Sequence, residues 1–384
     1  MAGHIRKRPN GWRVYASRGT DSPTDKRVRV CEVVHGSKRD AQRRLRAIQT
    51  ELEQGSYVSK TAETLNQFVE RWFPTKQASV SHTTATSYRN LLDKSILPVM
   101  GNKKVQQIDN MDIAAFLSSF VRRGKVSQAE HLWVFLRMMF KAAREMGAIS
   151  HDPIRGVERP KVPKREMRSL SPREWMAVRD ELAVSNPYNL AVLTTMITTG
   201  MRRSELCGLQ WRDIDFDRSI LHIRRAFHHV GGVSTYAEPK TTRSRRAIAL
   251  DPGTVESLRY VRDHAALVAS YYGHVLSDDS PVFSIDGSAP YSPDSISGMW
   301  KRVSKKLGIK ARLHDLRHTA ATLMLANGVP VGDVSDRLGH STPGFTLTVY
   351  RHSVPGAQEE AAARLAGALN GAPVKQLVEP LSVG

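Results

Sequence analysis

Between Glu158 and Glu166 the chain reads Glu-Arg-Pro-Lys-Val-Pro-Lys-Arg-Glu, a stretch that no helix can cross. Each proline removes a backbone donor, fixes its own φ and pushes the preceding residue out of the helical region. The dense charge keeps such a segment in water, so it reads as a linker. A chain interrupted in this way is built in pieces, and its 384 residues suffice for two or three domains, each with its own core. The character of the chain differs on the two sides of the break. It is helical before the linker and mixed after it.

From about residue 61 to 160 the apolar residues recur at helical spacing. Thr64 with Gln67 reads as a capping box, and Leu65, Phe68, Val69 and Trp72 follow at i, i+3, i+4 and i+7 up to Pro74, where the helix is expected to stop. Further helices are expected over 84–96, 109–123 and 127–146. The last carries Leu132, Phe135, Leu136, Met139 and Phe140 on one face, an ordinary core stripe and not a cofactor site.

Residues 1–60 are different again. They hold fourteen Lys and Arg against six Asp and Glu, so this end has a local excess of eight positive charges. Short strand-like runs, 5–8, 12–17 and 26–34, are separated by turn-forming Pro9-Asn10-Gly11 and by 19–24. A helix over 37–54 follows, with Ser37 as its N-cap. Three antiparallel strands and one helix, with Arg13, Arg18, Arg27 and Arg29 on or beside the strands, form a surface suited to a DNA groove.

The formal net charge of the whole chain is +20, which points to a polyanionic partner. A spanning helix is not expected, because no run approaches the roughly 18 apolar residues one needs. The N-terminus, Met-Ala-Gly-His-Ile-Arg-Lys-Arg, lacks the apolar core of a signal peptide. Cys31 and Cys207 are the only cysteines and fit neither a disulfide framework nor a zinc site. The reading is a cytoplasmic, nucleic-acid-binding protein without a metal or other cofactor.

Beyond the linker, a capping box at Ser171 and Glu174 opens one helix, and 188–199 reads as another. A strand is expected over 219–223, and 238–250 reads as a hairpin with a basic turn, 241–246. Four pieces carry the chemistry: Thr199-Gly-Met-Arg-Arg-Ser-Glu-Leu206, Glu238-Pro-Lys-Thr-Thr-Arg-Ser-Arg-Arg246, Leu313-His-Asp-Leu-Arg-His-Thr319, and Leu338-Gly-His340 followed ten positions later by Tyr350. In content and order they resemble the tyrosine recombinase (phage integrase) family. The resemblance implies a multidomain α+β chain in three parts. These are a small three-stranded sheet with a helix that binds arm-type DNA sites (1–60), an all-α, SAM-like helical bundle that binds core sites (61–160), and a mainly α catalytic domain with a small antiparallel sheet (161–384), its tail beginning at about 355.

The residues themselves fit that chemistry. A phosphodiester under attack accumulates negative charge on its non-bridging oxygens, and without a metal the protein must supply the positive charge. Arg202 and Arg317 offer planar forks of donors that stay charged at any working pH, and the resemblance makes them the two catalytic arginines. Glu205, three residues after Arg202, is placed to hold that guanidinium, while Arg203 is directed elsewhere. Lys240 is implied as the general acid for the leaving 5′-oxygen, although Arg243, Arg245 and Arg246 compete for the assignment and Arg243 also counts as a DNA contact. His314 shares a helical face with Arg317, His340 completes the family's set, and His318 and His352 stand as supports. Tyr350 is implied as the nucleophile, forming a 3′-phosphotyrosine that conserves bond energy.

The implied activity is metal-independent, site-specific strand exchange that integrates, and also excises, a phage or mobile element. Its partners would be double-stranded core and arm DNA sites, a homotetramer assembled on them, and accessory DNA-bending or excision-directing proteins. The competing readings are a chromosome-dimer resolvase of the same family, a type IB topoisomerase, and an inactive DNA-binding regulator.

Overall fold

The structure is a computed structural model, and it describes residues 2–17, 29–54, 57–163, 168–238 and 245–340, with 344, 362, 363, 365–367, 369 and 370 beyond them. The chain divides into two compact units, 1–164 and 165–384, and the division falls within the proline-rich linker.

The first unit opens with strands β1 (Ala2–Arg8), β2 (Gly11–Ser17) and β3 (Arg29–Val34), an antiparallel sheet in that order. Helix α1 (Lys38–Glu53) follows, with Ser37 and Asp40 closing a capping box. Val14, Ala16 and Val30 bury one face of the sheet against Ala41, Ile48 and Leu52. Alternation along the strands sends the neighbouring residues to the opposite face. There Arg6 pairs across with Arg13, and the rings of His4 and Tyr15 stack 4.6 Å apart.

Five helical pieces come next: α2 (Leu65–Ala78), α3 (His82–Leu91), α4 (Leu97–Met100), α5 (Asn110–Arg122) and α6 (Val126–Glu145). A π-helical turn, Leu92–Ile96, joins α3 to α4. Helix α2 does not stop at Pro74 as its sequence suggests but runs through it for another turn. Proline removes its own N–H from the ladder and crowds the carbonyl one turn earlier, but Trp72 and Phe73 anchor this part of the helix in the core. Phe135, from the stripe on α6, meets the rings of Trp72 and Tyr88 at 6.2 and 5.0 Å.

The second unit is built around α8 (Pro187–Thr199), preceded by α7 (Pro172–Ser185). Tyr188, Val192, Leu193 and Met196 bury α8 on several sides, as expected of a central helix. After α9 (Arg203–Cys207) come β4 (Ile214–Asp215), β5 (Ile220–Ile223), β6 (Ala226–Val230), β7 (Val233–Ala237) and β8 (Arg246–Ala249). The first arm and the turn of the hairpin expected over 238–250 fall on 239–244, outside the described residues; its second arm forms β8. β7 pairs with β6, whereas β8 pairs with β5, so the strands on either side of 239–244 belong to two small sheets. The apolar partner of Ile248 is Leu221, which draws β8 into the core sheet and away from the exposed β7. Helices α10 (Pro252–Tyr271), α11 (Pro293–Lys306), α12 (Asp315–Ala326) and α13 (Val331–Leu338) complete the unit. Among the described residues no helix is long and apolar enough to cross a membrane.

The buried aromatic contacts of Phe135 yield a direct test. Phe135→Ala is expected to destabilise the first unit by about 3–5 kcal/mol, read as a lower midpoint of its urea unfolding transition.

Candidate active site

Helix α8 ends at Gly200, whose φ of 64° reverses the chain and leaves the last carbonyls of the helix without intrahelical donors. Helix α13 ends in the same manner at Gly339, with φ of 67°. These two helix ends organise the arginines. Arg317 on α12 donates from Nη1 to the Gly200 carbonyl at 2.7 Å, and Arg202 donates from Nη2 to the Gly339 carbonyl at 2.9 Å. Arg337 reaches the Thr198 carbonyl at 2.9 Å, and Arg246 donates from Nε to the Arg337 carbonyl at 2.6 Å. The negative end of a helix dipole favours a cation, so both helices attract guanidinium groups where the chain turns.

Arg202 precedes α9 as its N-cap, and its hold on Glu205 is double. The backbone N–H of Arg202 donates to Oε2 at 2.8 Å and its Nη1 donates to Oε1 at 2.7 Å. Glu205 is buried, which alone would raise its carboxyl pKa, yet Arg246 and Arg202 hold it below the usual carboxylate range. Arg203 turns away, to Ser297 at 2.5 Å and Asp294 at 3.3 Å, as the sequence suggests.

His314 stands at the head of α12. The turn there is fixed by Asp315, which accepts from the Arg312 backbone at 2.7 Å and from its guanidinium at 2.8 Å. The His314 and His318 rings meet edge-on at 4.8 Å. Burial and then the Arg317 charge depress the pKa of His314. Burial pushes His318 and His340 down to about 4, reinforced by His314 for His318 and by Arg317 and Arg202 for His340. The same two arginines therefore act on both His314 and His340, so the four side chains share one electrostatic neighbourhood. A cleft of ≈ 530 Å³ opens beside them, lined by Met196, Met201, Arg203, Trp300, His314 and Arg317 among others.

Arg202, His314, Arg317 and His340 are thus brought together from three separate stretches of chain. Lys240, Arg243, Tyr350 and His352 lie outside the described residues, as do Arg18 and Arg27. Arg13 lies on the open face of the N-terminal sheet, and Arg29 begins β3. Arg245, a competitor of Lys240, forms an exposed ion pair with Glu238 at 2.9 Å. The other competitor, Arg246, is buried on Glu205, a placement the sequence reading did not foresee. Its signal was available, since Arg246 opens a short run of alternating residues, 246–250, that pairs as a core strand.

The chain matches the Phage integrase family over residues 173–356 and the Phage integrase central domain over residues 65–159. It belongs to the phage integrase family of tyrosine recombinases. The recombinase is 27% identical over 292 residues to a tyrosine recombinase XerC-like protein of Caldanaerobacter subterraneus subsp. tengcongensis, covering 70% of this chain and 72% of the relative. It is 22% identical over 369 residues to the ICEBs1 integrase of Bacillus subtilis, covering 94% and 98%. Its fold matches that of a Tn1549 transposon integrase solved in complex with transposon right end DNA. That TM-score is 0.63 at 19% identity, over 79% of this chain and 100% of the other. The recombinase is thus a tyrosine-type site-specific recombinase of the kind that serves phages and mobile elements.

The depressed histidines make stability depend on pH. Because His318 and His340 bind protons more weakly in the folded protein than at their ordinary 6.5, the unfolded chain takes up protons first as pH falls. Stability is therefore full above pH 6.5 and is lost as the pH drops toward 4, by on the order of a few kcal/mol for the pair. Thermal melts across this window should show that loss, and replacing both residues by Gln should flatten it.

Proposed function

We propose that Arg202, Lys240, His314, Arg317, His340 and Tyr350 form one active site that cleaves and rejoins DNA through a 3′-phosphotyrosine. The observation that carries this reading is the convergence of Arg202, Arg317, His314 and His340 where the ends of α8 and α13 meet α12. Arg202 and Arg317 neutralise the non-bridging oxygens of the scissile phosphate. The Tyr350 oxygen forms a bond to phosphorus as the bond to the 5′-oxygen breaks. Lys240 gives the leaving oxygen its proton, and His314, neutral at physiological pH, accepts the proton of the attacking phenol. Rejoining is the reverse exchange, with a 5′-hydroxyl attacking the phosphotyrosine, and it requires neither a nucleotide nor a metal.

Three domains share the work in this reading. The sheet of residues 1–60 presents Arg6, Arg13 and Tyr15 on the face opposite α1, and these belong with Arg18, Arg27 and Arg29 as contacts to arm-type sites. Residues 61–160 hold the core site, and 161–384, including the tail from about 355 and the DNA contact Arg243, hold the chemistry. The partner is double-stranded DNA, on which four copies assemble, assisted by accessory bending or excision-directing proteins in the bacterial cytoplasm. The basic N-terminal sheet favours an integrase that uses arm sites over a chromosome-dimer resolvase, and the complete set of catalytic residues disfavours an inactive regulator.

Tyr350→Phe is expected to bind a nicked core-site duplex as the parent does and to form no covalent adduct; an adduct on denaturing gels would refute the nucleophile. Removal of residues 1–60 should leave core-site cleavage intact and block integration, and a truncated protein that integrates at the normal rate would remove the arm-binding role.

A further inference from the structure

Arg246 opens β8, six positions after Lys240. Its Nη2 donates to Glu205 Oε2 at 2.9 Å and its Nη1 donates to Oε1 at 3.3 Å. The same two oxygens receive the backbone N–H and Nη1 of Arg202. One carboxylate therefore sits between two guanidinium groups, but the three side chains are not equally covered. Glu205 is 5% exposed and Arg246 6%, whereas Arg202 is 38% exposed. Only Arg202 turns part of its charge outward. The two arginines also flank Gly339: its carbonyl accepts from Arg202, and a Cβ there would lie 2.9 Å from Arg246 Nη1.

Charge counting shows what the buried arginine does. Arg202 and Glu205 together are neutral, and a neutral pair has little to offer a phosphate. With Arg246 added the cluster carries one net positive charge, and the solvent-facing guanidinium is where a DNA oxygen meets it. Without Arg246, Glu205 would direct its whole buried charge at Arg202 and repel the phosphate beside it. The fork from Arg246 also leaves Glu205 fixed in one plane, and so orients the Arg202 guanidinium.

We propose that Arg246 is a positioning residue for strand cleavage: by neutralising and orienting Glu205 it keeps the positive charge of Arg202 available to the scissile phosphate. As the first residue of β8, it also anchors one end of the segment that carries Lys240. The proposal rests on the reading of Arg202 as a phosphate-neutralising group.

The test is single-turnover formation of the covalent adduct by the full-length protein on a nicked core-site duplex, with binding followed by gel shift and folding by thermal melt. Arg246→Met should bind DNA but cleave about 100-fold more slowly, the scale of losing one group that stabilises the developing charge. Adding Glu205→Gln to Arg246→Met restores the net charge of the cluster and should recover at least about 10-fold of that loss. Arg246→Lys, which keeps the charge and loses only the fork, should fall between parent and Arg246→Met. A purely structural Arg246 predicts instead that cleavage follows the thermal melts, with no loss of rate in a variant that remains folded. Parental cleavage by Arg246→Met, or no recovery in the double variant, overturns the proposal. If Arg246→Met does not fold, Arg246→Gln with and without Glu205→Gln carries the same expectations. Arg202→Ala separates the two levels: parental cleavage by that variant refutes the reading of the site, whereas its inactivity beside a normal Arg246→Met refutes the positioning role alone.

Discussion

The catalytic half of this protein depends on how the carbonyls at two helix ends are satisfied. A helix cannot use its last carbonyls internally, and burying them without donors is costly. Here α8 and α13 both end inside the domain, and four arginines meet the demand: Arg317 and Arg337 at the end of α8, Arg202 and Arg246 at the end of α13. The arrangement is reciprocal, since the donors to α8 come from α12 and α13, while the donors to α13 come from β8 and the start of α9. Folding and the proposed active site thus draw on the same hydrogen bonds. A guanidinium that caps a helix with one nitrogen is held rigidly enough to present another to a substrate.

Glu205 shows the cost of this arrangement. A carboxylate buried to this extent is tolerable only while paired, and removal of one partner from such a pair costs about 3–5 kcal/mol. Its two partners differ in kind, one covered, the other partly exposed to solvent. The neutral histidines fit the same logic, because burial beside permanent cations disfavours a further positive charge.

Much of this was legible in the sequence. The N-cap at Ser37 and the capping boxes at Thr64 and Ser171 start helices where their spacing places them, and the linker around Pro160 and Pro163 falls at the division between units. The arginines and histidines brought together are ones that motif order singled out. One expectation failed for a tertiary reason. Pro74 is carried inside α2 because the aromatic anchors beside it outweigh the local cost of proline, while burial of Ile248 against Leu221 decides the partner of β8. Arg246 was read only as a competitor for the place of Lys240, and Arg337 was not singled out, because their partners are backbone carbonyls or a residue 41 positions away. Local pattern marks Arg246 as the start of a core strand but does not name the partner it finds there.

The split allegiance of β7 and β8 has a consequence for proton transfer. A tight turn between two paired strands would have its course set by turn geometry, whereas a connection between separate sheets has only its span prescribed. Residues 239–244 lie in sequence between those two strands, and Lys240 is among them. Each residue added or removed alters the reach of an extended chain by about 3.3–3.6 Å, more than the whole length of the hydrogen bond along which a proton is passed. In the proposed site, the number of residues between the two strands therefore limits how far Lys240 can reach, a limit as binding on its proposed role as the identity of the lysine itself.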